Sequence, residues 1–433
     1  MAETNAGSRP TRLLFASYHC SFDPSSGAAL STRDLLELLA RRGWSCRVFC
    51  GPQLDFEASP PLSRLLQDQH ITFETRRVQL GPVPVGLFHF EQGGIPVAIY
   101  CPTLARPHEV PGRDEGIAFL ALLGRVIQEV RPDLLLTYGG HWLARETIAL
   151  AKRQGVRVVF TLRNFAYDDA ELFRPVDAVH VPSRFAQDYY RRTLGLDGTA
   201  IPGPWDWTRV RCPDRVGSTG PARAATDPAA AGARTALPNR GPYVTFVNPQ
   251  PEKGVFVFAR IAVELARRRP DIPLLVVEGR GKVDWLGRTG LDLRALPNLF
   301  VMEHTPDPRH FYGVSRLVLM PSLWQESFGR VAAEALINGL PVLASDRGGL
   351  PETLENAGFV FHVPGRYTPQ TCWVPTAEEV APWVETIISL WDDAGFYAGE
   401  RQRCLAAADA WRPERLGDRY EEFLTAVLRK PLK

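Results

Sequence analysis

From residue 12 onward, short apolar runs alternate with longer segments whose apolar residues recur every three or four positions. RLLFASY (12–18), SCRVFCG (45–51), DLLLTYG (133–139), VRVVFTL (156–162) and VDAVHVPS (176–183) read as buried strands. ALSTRDLLELLARRG (29–43), GIAFLALLGRVIQEV (116–130) and LARETIALAKRQG (143–155) read as amphipathic helices between them. Such alternation is the pattern of a parallel sheet covered on both faces. The rhythm breaks over residues 217–240, which hold eight alanines, three glycines and a single large apolar side chain, Leu237. A segment with so little to bury cannot offset its ordering entropy, which predicts a linker or insertion. The alternation then restarts with PYVTFVN (242–248), VFVFARIAVELARRR (255–269), PLLVVEG (273–279), NLFVME (298–303), SRLVLMP (315–321), GRVAAEALIN (329–338) and LPVLAS (340–345). Residues 377–430 read as helices. The pattern predicts an α/β chain of two doubly wound halves facing a cleft, with ligands at the carboxyl ends of the strands.

Length and composition agree with two soluble domains. The chain has 433 residues, 45% of them hydrophobic and 23% charged, with a formal net charge of +2. That balance argues against nucleic-acid binding, which needs a concentrated positive surface. Arg41-Arg42, Arg76-Arg77 and Arg267-Arg268-Arg269 are short runs that read as solvated helix ends or loops. The opening MAETNAGSRPTR has no apolar core of a signal peptide, and no run of 18 apolar residues predicts a membrane span. Seven cysteines without Cys-x-x-Cys spacing predict free thiols and a reducing cytoplasm, with Cys46 and Cys50 buried on one face of a strand.

The chemistry concentrates in WQESFGRVAAEALINGLPVLAS, residues 324–345. A helix is expected from near Phe328 to Asn338, ended by Gly339 with Pro341 shortly after. Its free amides at Phe328, Gly329 and Arg330 would make an anion site, and Gly329 would let a ligand approach the backbone. Glu334 lies about 6 Å further along the axis than Arg330, too far to meet the same anion but able to accept from paired sugar hydroxyls. The plainer alternative for Glu326 and Glu334 is a solvated, charged helix face.

The stretch resembles the donor-binding motif of retaining glycosyltransferases of GT-B architecture, the family-four group. The resemblance rests on Pro321-Ser322, on Glu326-Ser327-Phe328-Gly329 with Glu334-Ala335 following, and on GLPVLASDRGGLPE at 339–352. The family pattern also has Arg-x₄-Lys-Gly early in the same domain. Here it reads Asn248-Pro249-Gln250-Pro251-Glu252-Lys253-Gly254, so Lys253 matches and Asn248 replaces the arginine. The resemblance implies that Lys253 neutralises the departing diphosphate, that Glu326 holds the donor sugar's hydroxyls and that Glu334 holds the ribose.

In the first half, SFDPSSGAALST (21–32) resembles the family's glycine loop, with Gly27 opening a helix toward the diphosphate. Gly139, Gly140 and His141 end a strand where acceptor or donor sugar would lie. Arg163 stands where the family commonly has histidine, followed by Asn164. Ser183 matches the family's strand ending in serine, a structural position.

The resulting expectation is a GT-B fold: residues 1–212 an acceptor-side Rossmann-like domain, 213–240 a linker, 241–395 the nucleotide-sugar domain, and 396–433 helices crossing back. Its activity would be retaining transfer of a sugar from a nucleoside diphosphate to an acceptor that is a glycan, a lipid-linked group or a small molecule. The catalytic set is Glu326, Lys253 and His141. Donor contacts fall to Gly27, Asn248, Lys253, Glu326, Ser327, Phe328, Gly329, Arg330 and Glu334, and the acceptor or sugar side to His141, Arg163 and Asn164. No metal or cofactor is expected, since no Asp-x-Asp occurs. Expected placement is cytoplasmic, with peripheral contact at the inner face of a membrane allowed. The alternatives are a catalytically weak sugar-nucleotide-binding protein and a GT-B sugar-nucleotide 2-epimerase.

Overall fold

The computed structural model describes residues 9–55, 61–80, 83–102, 109–213 and 241–432. Nine strands form the first sheet: β1 (Arg12–His19), β2 (Ser45–Gln53), β3 (Glu74–Leu80), β4 (Val83–Gln92), β5 (Ile95–Cys101), β6 (Leu134–Thr137), β7 (Arg157–Thr161), β8 (Ala178–Val181) and β9 (Gly198–Ala200). Six form the second: β10 (Tyr243–Val247), β11 (Leu274–Val277), β12 (Leu299–Met302), β13 (Ser315–Met320), β14 (Val342–Ser345) and β15 (Phe359–Phe361).

The second sheet is parallel throughout, in the order β12-β11-β10-β13-β14-β15. Chain direction across the sheet reverses between β10 and β13, which opens a crevice at their carboxyl ends. The first sheet repeats that plan, with β1 and β6 flanking its reversal in the order β3-β4-β5-β2-β1-β6-β7-β8-β9. β1 shows why both faces are covered: Leu13, Leu14, Phe15 and Ala16 are all buried, so alternation of polar and apolar residues disappears.

One expectation needs correction. The first sheet is not wholly parallel: β3 and β4 pair antiparallel, as do β4 and β5. The β4–β5 connection turns on Gly93 and Gly94, both at positive φ, which suits a tight hairpin. Arg76-Arg77 therefore lies on β3, an exposed edge strand, rather than in a helix end or loop. Charge on an unpaired edge discourages pairing with another chain. The 213–240 segment lies, apart from Pro213, outside the described residues. None of the seven cysteines is in a disulfide among the described residues.

The two halves are joined at several points. The Ala394–Ala408 helix packs on the Arg330–Ile337 helix of the second half. The last helix, Pro413–Arg429, returns to the first half, where Glu421 accepts from Arg42 at 2.8 Å and from the Trp44 indole at 3.0 Å. Tyr420 of that helix meets His180, a fully buried imidazole on β8. His180 Nε2 donates to the Ile201 carbonyl at 2.8 Å and Nδ1 accepts from Thr161 at 2.9 Å.

Burial, then the nearby Arg163 charge, pull the His180 pKa down to about 3 from 6.5. A lowered imidazole pKa stabilises the fold above the unfolded value, and that contribution is lost as pH falls from 6.5 toward 3. Each pH unit in this window should remove about 1.4 kcal/mol through this one residue. Denaturant titrations from pH 7 to pH 4 should show His180→Gln less stable than the wild type at pH 7 but with a shallower acid dependence. Parallel pH profiles would remove His180 from the account of acid sensitivity.

Candidate active site

The site is built at the β10–β13 reversal. After β10 the chain turns through Asn248 and a short helical turn, Pro251–Lys253, and after β13 it turns through Pro321 and Ser322. The two loops are tied together because the Glu252 carbonyl accepts from the amides of Leu323 at 3.0 Å and Trp324 at 3.3 Å. Gly254 makes the approach possible: at φ +81°, a Cβ there would lie 1.8 Å from the Pro321 carbonyl oxygen. Lys253 is thus delivered to Glu326, and its ammonium donates to Oε1 at 2.6 Å while Ser322 Oγ donates to the same oxygen at 2.9 Å. The Lys253 ammonium also lies over the Trp324 ring, 4.6 Å from its centroid. Burial of Glu326 works against ionisation. The Lys253 charge and hydrogen bonds from Lys253, Trp324 and Ser322 outweigh it and hold the carboxyl below the usual range.

The helix following this loop starts later than expected. It spans Arg330–Ile337, with Gly329 at its N-cap in the left-handed region, φ +97°. The helix therefore begins at Arg330 rather than Phe328, and the Gly329 conformation is one that a side chain would strain. Phe328 is buried against Trp205 and Trp411, with ring centroids 5.6 and 5.8 Å away, so its side chain wedges the halves together. The Ser327 carbonyl accepts from Ser183 Oγ of the first half at 2.6 Å.

Glu334 is buried as well, not on a solvated face. Arg330 Nε donates to its Oε1 at 2.6 Å and the Tyr312 hydroxyl to its Oε2 at 3.1 Å. Burial raises the Glu334 pKa by more than the Arg330 charge and these hydrogen bonds lower it. Arg330 also reaches the first half, donating to Asp34 at 2.8 Å and Ser31 at 3.2 Å.

Across the cleft, Gly27 is the first residue of the Gly27–Arg41 helix, capped by Ser26 Oγ accepting from the Ala29 amide. A Cβ at Gly27 would meet nothing within 4 Å, so the helix start faces open space. Gly139, at φ +135°, turns β6 toward His141, the N-cap of the Trp142–Arg153 helix. His141 Nε2 lies 3.1 Å from Gln53 Oε1, and Nδ1 is buried without a hydrogen-bond partner among the described residues. Burial, then the adjacent His19, lower its pKa to about 4, so it is neutral near pH 7. Arg163 Nε and Nη2 are likewise buried without hydrogen-bond partners among the described residues. Asn164 serves its own turn, with Oδ1 accepting from the Ala166 amide at 3.2 Å and its carbonyl from Tyr190 at 2.5 Å.

Asn248 ties its own loop to the loop after β11. Its backbone is left-handed at φ +67°, and its Oδ1 accepts from the Gly281 amide. Sequence reasoning did not single out Arg280, Trp324, Tyr312 or Asp34. Gly279-Arg280-Gly281 carried a signal for Arg280, a cation between two glycines after a strand; Tyr312 and Asp34 carried none, because only tertiary packing brings them to Glu334 and Arg330.

Comparison with known proteins finds a family model in each half. The family model described as glycosyl transferases group 1 matches residues 233–371, and the glycosyl transferase 4-like domain matches residues 26–203. The D-inositol 3-phosphate glycosyltransferase of Rhodococcus jostii is 34% identical over 267 residues, 54% of this chain and 56% of that protein. The one from Nocardia farcinica is 34% identical over 178 residues, 39% of this chain and 36% of that protein. The chain thus spans between about a third and about a half of the length of these relatives. The catalytic domain of starch synthase IV from Arabidopsis thaliana, solved bound to ADP and acarbose, superposes with a TM-score of 0.67 at 14% identity, covering 98% of this chain and 100% of that one. Two α/β halves, each with a crevice at its strand reversal, and a family-model match in each half lead to one conclusion: the chain has the GT-B fold, and each half is similar to a glycosyltransferase family domain.

Proposed function

We propose that the protein transfers a sugar from a nucleoside diphosphate to an acceptor hydroxyl with retention of anomeric configuration. The observation that carries this reading is the pair of half-buried Lys253 and buried Glu326, 2.6 Å apart, with Ser322 on the same carboxylate oxygen at the β10–β13 reversal. In the reaction, the bond from the anomeric carbon to the diphosphate oxygen breaks with its electron pair leaving on phosphate. The acceptor oxygen bonds the same face of that carbon and its proton passes to the departing phosphate. Lys253, the first free amides of the Arg330–Ile337 helix and the start of the Gly27–Arg41 helix meet the leaving charge. The scheme asks for no metal and no cofactor.

Glu326, kept ionised, is assigned to the transferred sugar's hydroxyls and Glu334 to the ribose. A carboxylate offers about four lone-pair directions, so Glu334 retains acceptor capacity beside Arg330 and Tyr312. The ADP bound to the starch synthase supports a nucleoside diphosphate donor. Residues 1–212 are assigned to the acceptor side, with His141, Arg163 and Asn164 at its edge, and 241–395 to the donor. Among the described residues no helix is long and apolar enough to cross a membrane. We place the enzyme in the cytoplasm, with any membrane contact peripheral. A binding-only reading draws on Asn248, which carries no charge where the family has arginine. Turnover of any sugar nucleotide, including slow hydrolysis, excludes it.

Two outcomes test the assignments. Lys253→Ala should lower turnover on the order of 10²-fold, the cost of removing one group aimed at developing charge. Kinetics equal to wild type would return Lys253 to a structural role. For the carboxylates, calorimetry with the bare nucleoside diphosphate is set beside donor turnover. Glu334→Ala should weaken the diphosphate more than about tenfold, because the ribose is present in both ligands. Glu326→Ala should bind the diphosphate nearly as wild type and lose transfer. Equal loss of diphosphate binding in both variants would end the division of labour.

A further inference from the structure

Arg280 projects from the loop after β11, between Gly279 and Gly281. This loop lies directly on the one that follows β10. Asn248 Oδ1 accepts from the Gly281 amide, a Cβ at Gly279 would come within 3.2 Å of that oxygen, and a Cβ at Gly281 would lie 2.5 Å from the Pro249 carbonyl oxygen. A side chain at 281 would force these loops apart, and one at 279 would crowd Asn248. Asn248 suits its own part, because asparagine tolerates the left-handed backbone it adopts. The side chain at 248 thus acts as a clamp, and what it clamps is a loop carrying a cation.

That cation crosses the cleft. Arg280 Nε and Nη2 donate to the Ser25 carbonyl at 2.9 and 2.6 Å, two residues before the open start of the Gly27–Arg41 helix. Arg280 also pairs with the Asp55 carboxylate, which at 3.9 Å is beyond hydrogen-bond reach. The Arg280 side chain remains about a third exposed. Nε and Nη2 form the edge of a guanidinium that grips an oxyanion with two parallel bonds. Here that edge holds a neutral carbonyl, a weaker partner that an anion displaces.

We propose that Arg280 supplies the diphosphate-binding cation that position 248 lacks, held in place by Asn248 and meeting the donor phosphates between the two halves. This rests on the reading of the site as one for a nucleoside diphosphate sugar. The positive charge is moved to the neighbouring loop rather than lost, and it stabilises the same electron pair that leaves on phosphate.

The test starts with UDP, GDP, ADP and TDP titrated calorimetrically into the full-length wild type. The diphosphate that binds is then compared with its nucleoside in Arg280→Ala, Arg280→Gln and Arg280→Lys. Glutamine keeps a donor for the Ser25 carbonyl but carries no charge. Alanine and glutamine should each weaken the diphosphate at least tenfold, lysine should recover part of that, and nucleoside affinity should not change in any variant. Wild-type diphosphate affinity in Arg280→Gln would overturn the role of the charge and leave the wider functional reading standing. Equal losses for diphosphate and nucleoside would assign Arg280 to joining the halves through Ser25, which also overturns it. Failure of the wild type to bind any of the four would overturn the functional reading itself, and the inference with it.

Discussion

Arg330 sits where the two halves meet, and its guanidinium faces a carboxylate from each: Asp34 at 2.8 Å and Glu334 at 2.6 Å. Removing such charges from water costs several kcal/mol per ion, roughly, and the cost is recovered only when every group is paired and hydrogen-bonded. Moving the halves apart would strip Arg330 of Asp34 and Ser31, leaving one guanidinium to serve Glu334 alone. Position, charge and hydrogen bonding are therefore linked at this point. Neighbouring contacts reinforce the same closed arrangement: Ser183 donates to the Ser327 carbonyl, and the Glu352 carboxylate accepts from the amides of Arg184 and Phe185 at the start of a first-half helix. Each joins a helix or strand end of one half to the loop that carries Glu326 or to the turn packed on it.

The two motif glutamates are eight positions apart, and their surroundings push them in opposite directions. Glu326 has a lysine ammonium and a serine hydroxyl on one oxygen, and ionisation wins over burial. Glu334 has Arg330 and the Tyr312 hydroxyl, yet burial wins, and the Asp34 carboxylate that shares Arg330 adds to its effect. A carboxylate with a dedicated counterion suits a site where charge develops during reaction. One whose counterion is shared suits a neutral polyol, which donates hydrogen bonds without bringing charge of its own. The difference follows from which half each partner belongs to. Lys253 and Glu326 come from the same sheet and keep their geometry in any arrangement of the halves, whereas Arg330 depends on the first half being close.

Much of this was legible in the sequence because parallel sheets leave a strong trace. Buried strands such as LLF at 13–15 have no polar interruption, and the helices between them keep a regular apolar stripe. Glu326, Lys253 and Gly27 were readable for a similar reason: each lies within a few residues of an element end, and element ends set where side chains converge. The hairpin over 74–101 was missed because β3 is almost entirely exposed and offers no apolar run. The start of the Arg330–Ile337 helix was misread by two residues because Gly329 could be helical or left-handed, and in the fold it is left-handed, at φ +97°. Tyr312 and Asp34 were out of reach because they lie 22 and 296 positions from the residues they meet, a separation that no local pattern encodes.

Asn248 shows a different limit. Read along the chain, an arginine position occupied by asparagine is a missing charge. Read in space, the loops after β10 and β11 lie against each other, and an anion at their ends responds to the distance of a cation, not to the loop that bears it. Arginine at 248 could reach into the cleft itself but could not accept from the Gly281 amide, since a guanidinium has no acceptor. Asparagine accepts that bond and gives up the charge, and the loop it fixes carries Arg280 to within 2.6 Å of the Ser25 carbonyl on the far side. The exchange depends above all on Gly281, where a Cβ 2.5 Å from the Pro249 carbonyl oxygen would drive the loops apart and carry the cation away from the cleft.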